Sequence, residues 1–102
     1  MSRFRVSLAA DRDLDEIWEY IAADNLNAAD HLIQRLHETF LWLSKFPGAG
    51  HTRKEIKQTV LFWAEGNYEI VYRAFAGFIE IDAVLHGSRD IPAVLRERED
   101  AE

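Results

Sequence analysis

The chain has 102 residues, a size that suits one domain with one hydrophobic core, and we expect residues 1–102 to form a single unit. It contains no cysteine, which excludes disulfides and thiolate chemistry, and no run of about 20 apolar residues that could span a membrane. Both observations favour a cytoplasmic protein. The net charge of -6 disfavours contact with a polyanion, so we expect no direct binding to nucleic acid.

The first residues predict a short strand and then a helix. Phe4, Val6 and Leu8 alternate with polar residues, which is the pattern of a strand with one buried face. Apolar residues at helical spacing follow, with acidic residues in the first turns, where the helix dipole favours negative charge. We therefore predict a first helix over residues 11–24.

A second amphipathic helix follows after a short break. Asn27 has the properties of an N-cap, so we expect the helix to begin near Ala28. It should end before Pro47, because proline disfavours continuation of a helix. Two helices joined by so few residues are expected to pack as an antiparallel hairpin.

The second half of the chain predicts strands. Residues 59–64 are rich in β-branched and aromatic side chains, and apolar and polar residues alternate over 68–85 on both sides of Gly77. That alternation is typical of a half-buried hairpin. Pro92 favours the first turn of a short final helix, and the acidic end, 96–102, is expected to be frayed.

These elements predict an α+β fold in the order β-α-α-β-β-β, with a possible terminal helix. The helix hairpin would cover one face of a mostly antiparallel sheet.

The hairpin also carries a recognisable pattern of residues. An aromatic-x-Ile-x-Tyr-Arg strand, a tight turn, a second apolar strand and Leu-His-Gly-x-Arg-Asp follow one another. This pattern resembles the ParE/RelE superfamily of toxins from type II toxin–antitoxin pairs, and the spacing of the first helix around Asp13, Ile17 and Trp18 resembles the ParE branch. The residues of the motif are Tyr68, Tyr72, Arg73, Arg89 and Asp90.

Resemblance to the RelE branch would imply cleavage of ribosome-bound messenger RNA by clustered cations. Aligned on Asn67-Tyr68, this chain replaces the two lysines, the first arginine and the late tyrosine of that branch by Val60, Phe62, Glu69 and Leu95. Only the later arginine is kept, as Arg89. The substitutions argue against a RelE-type active site, but they leave open another arrangement of candidate catalytic residues, made of Arg89, Arg73, His86 and Tyr72.

Resemblance to the ParE branch implies a protein that binds DNA gyrase and traps it with cleaved DNA. Such a toxin needs a protein-binding surface rather than a catalytic set, and we expect no cofactor. The histidines show no recognised ligand spacing, so no metal site is expected either. The implied partners are a cognate antitoxin and gyrase, with a higher-order toxin–antitoxin complex. A non-toxic homologue that only binds antitoxin is a third possibility.

The tryptophans are the candidate antitoxin-binding residues. A domain of this size rarely buries three tryptophans completely, and exposed aromatic side chains are enriched at binding surfaces. The antitoxins of this superfamily cover an apolar groove beside the helix hairpin and the sheet. We therefore expect that groove near Trp18, Trp42 and Trp63, with ordinary core packing as the alternative.

Overall fold

The computed structural model describes residues 3–56 and 59–100 and has the predicted order of elements. None of the described helices is long and apolar enough to cross a membrane. The elements are β1 (Phe4–Val6), α1 (Leu8–Ala22), α2 (Leu26–Lys45), a 3-10 turn (Pro47–Ala49), β2 (Leu61–Glu65), β3 (Tyr68–Phe75), β4 (Phe78–His86) and α3 (Ile91–Asp100).

The four strands form one mixed sheet in the order β1-β4-β3-β2. β2, β3 and β4 are antiparallel neighbours, whereas β1 pairs with β4 in parallel. A parallel pair needs a long connection, and the chain between β1 and β4 contains α1, α2, β2 and β3. The predicted α+β architecture with a helix hairpin on a mostly antiparallel sheet is confirmed.

The helix hairpin packs on one face of the sheet and forms the main core. The apolar stripes of α1 and α2 meet alternate residues of β3 and β4 there, as their periods of about 3.6 and 2 residues require. The fully buried members of this core include Leu36, Phe40, Leu43, Ile70, Tyr72, Ile79 and Ile81.

A second core lies on the opposite face of the sheet, at the end of the hairpin that contains Val71 and Leu85, so the predicted half-buried pattern fails at that end and holds at the other. Strand residues such as Phe62 and Leu85 pack there against the apolar side of α3. A β-bulge explains why simple alternation failed: Val71 pairs with Ala83 but Tyr72 pairs with Ile81, so Asp82 is an extra residue in β4. After the bulge, the apolar residues of β4 change face.

Both helices of the hairpin begin earlier than predicted. Ser7 caps α1 by accepting a hydrogen bond from the amide of Ala10, so α1 starts at Leu8, and that side chain is exposed rather than part of a strand face. Asn25, not Asn27, caps α2 by accepting from the amide of Ala28. Asn25 and Asn27 are both suitable capping residues, and the sequence pattern favoured Asn27 over the observed cap, Asn25.

The last helix extends into the segment predicted as a tail. Residues 96–100, expected to be frayed, continue α3 as far as Asp100, while residues 101 and 102 of the predicted tail lie outside the described part. The guanidinium of Arg98 makes two hydrogen bonds to the carboxylate of Asp13 on α1, at 2.9 and 2.6 Å. This long-range pair holds the last turns of α3 against the domain.

Candidate functional site

Tyr72, one of the motif residues, lies in the core and fixes the loop after α2. Its hydroxyl donates to the carbonyl oxygen of Pro47 at 2.8 Å and accepts from the amide of Gly50 at 2.9 Å. Burial raises the pKa of Tyr72, which is fully inaccessible to solvent. A side chain in this position cannot touch a substrate, so the structure gives Tyr72 a structural role.

Arg73 belongs to a cluster of charges that crosses three strands. Its guanidinium bonds to Asp82 and to Glu80, both at 2.7 Å, and Arg5 of β1 reaches the same Glu80 at 2.6 Å. Arg73 lies opposite Glu80 in the sheet, five residues along β3 from Tyr68, which lies opposite His86. At about 3.4 Å per residue, Arg73 and His86 are roughly 17 Å apart along the strands. They do not share a site.

Asp82 is the group in this cluster whose titration is most strongly perturbed. Burial raises the pKa of Asp82 to about 6, against the hydrogen bond from Arg73, which lowers it. The neighbouring Glu80 has a lowered pKa, first because of its hydrogen bond with Asp82. The burial of Asp82 therefore outweighs its pairing with Arg73, and the pKa values of the two neighbouring carboxyl groups move in opposite directions.

This raised pKa predicts how the stability of the protein depends on pH. The contribution of Asp82 is fully present below its ordinary pKa of 3.8 and is lost as the pH rises through about 6, because the folded state holds the proton more tightly than the unfolded state. Asp82→Asn should therefore gain thermal stability relative to the wild type as the pH is raised across that interval. The measurement is the melting temperature of both proteins at a pH below 3.8 and at a pH above about 6. Equal gaps at the two pH values would contradict the prediction.

The turn after β4 is held by short-range hydrogen bonds. Nδ1 of His86 accepts from the amide of Ser88 at 3.1 Å, and the carboxylate of Asp90 accepts from the amide of Ala93 at 3.2 Å, which caps α3. Arg89 lies between His86 and Asp90 in the sequence, and its side chain is exposed. His86 and Asp90 thus shape the turn, and the turn presents the side chain of Arg89.

Arg89 lines a hollow of about 400 Å³ between α1 and the adjoining ends of β3 and β4. The rings of Tyr68 and His86 meet edge to face there, 5.3 Å apart. Burial, and to a smaller extent Tyr20, raises the pKa of Tyr68. The residues that line the hollow are Asp13, Glu16, Ile17, Tyr20, Tyr68, Val84, His86, Ser88 and Arg89.

This hollow brings together two of the four candidate catalytic residues, His86 and Arg89, and excludes the other two. Its remaining lining combines aromatic, aliphatic and acidic side chains with one serine, a mixture that suits contact with an amphipathic polypeptide better than with a polyanion. Sequence reasoning missed Glu16 and Tyr20 as site residues. The signal was available, because Tyr20 is a large aromatic residue off the apolar stripe of α1, and it is 82% exposed.

The positions where the RelE branch carries basic or catalytic groups belong mostly to the second core. Val60 and Phe62 of the β2 segment and Leu95 of α3 are buried there in one apolar cluster. Glu69 accepts from Arg53 at 3.0 Å, and the guanidinium of Arg53 lies over the ring of Phe62 at 4.6 Å. A helix and a packed apolar layer thus occupy the face that would hold the RNA-cleaving cations.

Two of the three candidate tryptophans lie together at the β2 edge of the sheet. The rings of Trp42 and Trp63 are 5.0 Å apart, and Phe46 lies 5.3 Å from Trp42. Trp42 and Phe46 are exposed. We call Trp42, Phe46 and Trp63 the tryptophan cluster; it adjoins a hollow of about 250 Å³ that also contains Arg35, Glu38, Thr39 and Glu65.

Trp18 lies apart from this cluster. Its indole nitrogen donates to the carboxylate of Asp30 at 2.8 Å, and it borders a different hollow, on the α1–α2 side, with Ile33 and His37. The sequence could not separate the three tryptophans, because their distribution depends on how α2 lies against β2. Within residues 3–56 and 59–100, no group of three or more His, Asp or Glu side chains is arranged to hold a metal ion.

Known proteins resemble this chain in sequence and in structure. The family described as "ParE toxin of type II toxin-antitoxin system, parDE" matches residues 4–91. A protein of Sinorhizobium fredii (strain NBRC 101917 / NGR234), named "Putative toxin Y4kP", is 33% identical over 93 residues, which cover 91% of this chain and 96% of that protein. A chain from the chromosomal ParDE TA system of P. aeruginosa superposes with a TM-score of 0.70 at 19% identity, covering 84% of this chain and 96% of that chain. At that identity, the superposition shows a shared fold.

Proposed function

We propose that this chain, which belongs to the ParE toxin family of type II toxin–antitoxin systems, acts as a single-domain inhibitor of DNA gyrase and is neutralised by a cognate antitoxin. Inhibition would proceed by binding, with the protein holding gyrase on cleaved DNA rather than performing chemistry of its own. Gyrase works on chromosomal and plasmid DNA, so the proposed place of action is the cytoplasm.

The burial of the RelE-type positions is the observation that carries this proposal. Val60, Phe62 and Leu95 form part of one apolar cluster between the sheet and α3, so cations could not replace them without desolvation of their charge. On that face, among the described residues, the guanidinium of Arg53 over the ring of Phe62 is paired with Glu69, and the positions of the RelE-type cations are apolar or acidic. Binding to a protein target does not need these cations, and an acidic protein meets less repulsion from it than from RNA.

One arrangement favours messenger RNA cleavage as the second candidate function. His86 and Arg89 line the same hollow as Tyr68, so an acid–base group and a cation stand close to each other there. Arg73 and Tyr72, the other two residues of that hypothesis, are respectively paired with carboxylates and buried. A non-toxic homologue that only binds antitoxin is the third candidate.

A double variant separates the inhibitor from the nuclease. His86→Ala combined with Arg89→Ala removes the acid–base group and the cation from the hollow, and neither side chain is buried, so we expect the fold to persist. If the protein acts by binding gyrase, expression without antitoxin should still lower plasmid supercoiling and leave message intact. Cut message with the wild type and intact message with the double variant would establish the nuclease instead. If cells that express the wild-type protein without antitoxin grow normally, the result would support the non-toxic homologue.

We further propose the tryptophan cluster as an antitoxin-binding surface. Exposed aromatic side chains that already contact one another offer large apolar area at a low cost in side-chain entropy. Trp42→Ala and Trp63→Ala should each weaken antitoxin binding by about 2 kcal/mol, close to thirtyfold in Kd. Trp18→Ala serves as the matched control, because Trp18 borders a separate hollow. If Trp42→Ala and Trp63→Ala bind the antitoxin as tightly as the wild type and Trp18→Ala do in a calorimetric titration, the cluster is not part of the interface.

A further inference from the structure

The turn after β4 holds a serine hydroxyl against a histidine ring. The hydroxyl oxygen of Ser88 lies 2.7 Å from Nδ1 of His86, and both residues are exposed. The amide of Gly87 donates to the carbonyl of Asn67 at 2.8 Å, and the amide of Arg89 donates to the carbonyl of His86 at 3.0 Å. Backbone hydrogen bonds therefore flank Ser88 on both sides and keep it beside the histidine. A nucleophile and a base within hydrogen-bonding distance are the first requirement for covalent chemistry at a serine.

The backbone of the turn also assigns the tautomer of His86. The amide of Ser88 donates to the same Nδ1 at 3.1 Å. Since an amide can only donate, we assign the lone pair to Nδ1 and the proton of the neutral ring to Nε2. The ring of Tyr68 packs edge to face against this imidazole. The hydroxyl of Ser88 must therefore donate to Nδ1, which is the direction that removal of its proton requires.

The two other serines within residues 3–56 and 59–100 have different hydrogen-bond partners. The hydroxyl of Ser7 donates to the carbonyl oxygen of Asp82 at 3.3 Å, and that of Ser44 donates to the carbonyl oxygen of Leu41 at 2.6 Å. A carbonyl oxygen does not take up a proton near neutral pH, so these contacts hold the hydroxyl without activating it. Ser7 and Ser44 therefore provide references for Ser88 within the same molecule.

Ser88 and His86 lie between two hollows that could receive a small reactant. Both residues line the hollow of about 400 Å³ that contains Arg89, and both line a second one of about 260 Å³ beside Asn67. The lining of the larger hollow is mainly aromatic, aliphatic and acidic, which suits an uncharged acyl ester better than a phosphorylated donor. Arg89 supplies a cation in the same hollow, where negative charge develops when a hydroxyl adds to a carbonyl group.

We propose that Ser88 is a site of covalent acylation, with His86 as its general base. The hydroxyl oxygen of Ser88 attacks the carbonyl carbon of an activated ester, and its proton passes to Nδ1 of His86. The bond from that carbon to the leaving oxygen then breaks, the leaving alcohol or phenol takes the proton from His86, and the acyl group remains on Ser88 as an ester. The site goes beyond the proposed function, since the reaction involves neither gyrase nor an antitoxin.

The reaction of the purified full-length chain with p-nitrophenyl acetate tests this site. Acetylated peptides are identified by mass spectrometry after digestion, and treatment with hydroxylamine distinguishes serine esters from lysine amides. We expect the ester at Ser88, with slower labelling of Ser7 and Ser44. Because only a neutral imidazole can accept the proton, labelling of Ser88 should slow, relative to those two serines, between pH about 8 and about 5. Labelling of Ser88 no faster than that of Ser7 and Ser44 would overturn the proposal.

His86→Asn separates the base from the hydrogen-bond geometry. The side-chain oxygen of asparagine can accept from the amide of Ser88 as Nδ1 does, but it is not a base. We expect Ser88 to be acetylated about a hundredfold more slowly in His86→Asn than in the wild type, the lower end of what a general base contributes. Ser88→Ala should lose the label from this peptide, and melting curves show whether each variant is folded.

The comparison of these variants decides the inference without reference to toxicity. Equal labelling of Ser88 in the wild type and in folded His86→Asn would show that the turn merely exposes the serine, and the inference would be wrong. An ester that persists on this peptide in Ser88→Ala would place the reaction elsewhere and would overturn it as well. Neither result would affect the proposed inhibition of gyrase, because that function does not use Ser88.

Discussion

Asp13→Ala is expected to destabilise the fold by about 3 to 5 kcal/mol, a large part of the stability of a domain of this size. The carboxylate of Asp13 is 5% exposed and accepts two hydrogen bonds from Arg98 and one from the amide of Val84. β1 ends at Val6, so Asp13 takes the place of a strand partner for the amide of Val84. Alanine would leave this amide and a half-buried guanidinium without their acceptor.

Three further variants isolate this interaction. Asp15→Ala, at an exposed position of the same helix, should change the free energy of unfolding by less than about 0.5 kcal/mol. Arg98→Ala should also destabilise, and the double variant of Asp13 and Arg98 should cost less than the two single changes together, because each single change leaves the other group unpaired. Urea denaturation supplies the free energies. A cost for Asp13→Ala no greater than that for Asp15→Ala would contradict the account.

Gly50→Ala is the second substitution with a large expected effect, about 2 to 4 kcal/mol of destabilisation from overpacking and lost hydrogen bonds. A Cβ at residue 50 would lie 2.5 Å from the hydroxyl oxygen of Tyr72 and 3.0 Å from the carbonyl oxygen of Phe62. The ring of Tyr72 cannot retreat, because it is fully buried and its hydroxyl is bonded to Pro47. The side chain and the loop must therefore move apart.

The nearby Gly48 provides the control for this prediction. A Cβ at Gly48 would meet nothing within 4 Å, so Gly48→Ala should be close to neutral in melting temperature. Tyr72→Phe should destabilise by about 1 to 3 kcal/mol, because the amide of Gly50 loses its acceptor. In the Tyr72→Phe protein, Gly50→Ala should lower the free energy of unfolding by less than it does in the wild type, because the hydroxyl oxygen nearest to the new Cβ is absent. Equal costs in the two backgrounds would show that the tyrosine hydroxyl is not the obstacle.

Much of the fold could be predicted from local patterns of the sequence. The order of helices and strands follows from hydrophobic periods, and the strand pairing around Gly77 follows from turn chemistry. The second core could not be predicted in the same way. The bulge at Asp82 shifts the side chains of β4 by one position, and no local pattern marks it.

The candidate sites were less predictable, because they depend on distances between elements. Asp13 and Arg98 are 85 residues apart, and neither shows in the sequence that it pairs with the other. Arg73 and His86 belong to the same motif, yet the hairpin holds them at different ends. Trp42 and Trp63 come together only because α2 passes over β2. Motif membership therefore predicted the family better than it predicted a common site.

A cleavage assay with purified gyrase shows whether this protein traps the enzyme on cut DNA. Supercoiled plasmid, gyrase, ATP and this protein are incubated, and the DNA is examined after the complexes are denatured and digested with protease. We expect linear plasmid to accumulate when the protein is present and to disappear when the cognate antitoxin is added first. Undisturbed gyrase activity, together with cleavage of ribosome-bound message by the same preparation, would overturn the assignment of this protein as a gyrase inhibitor.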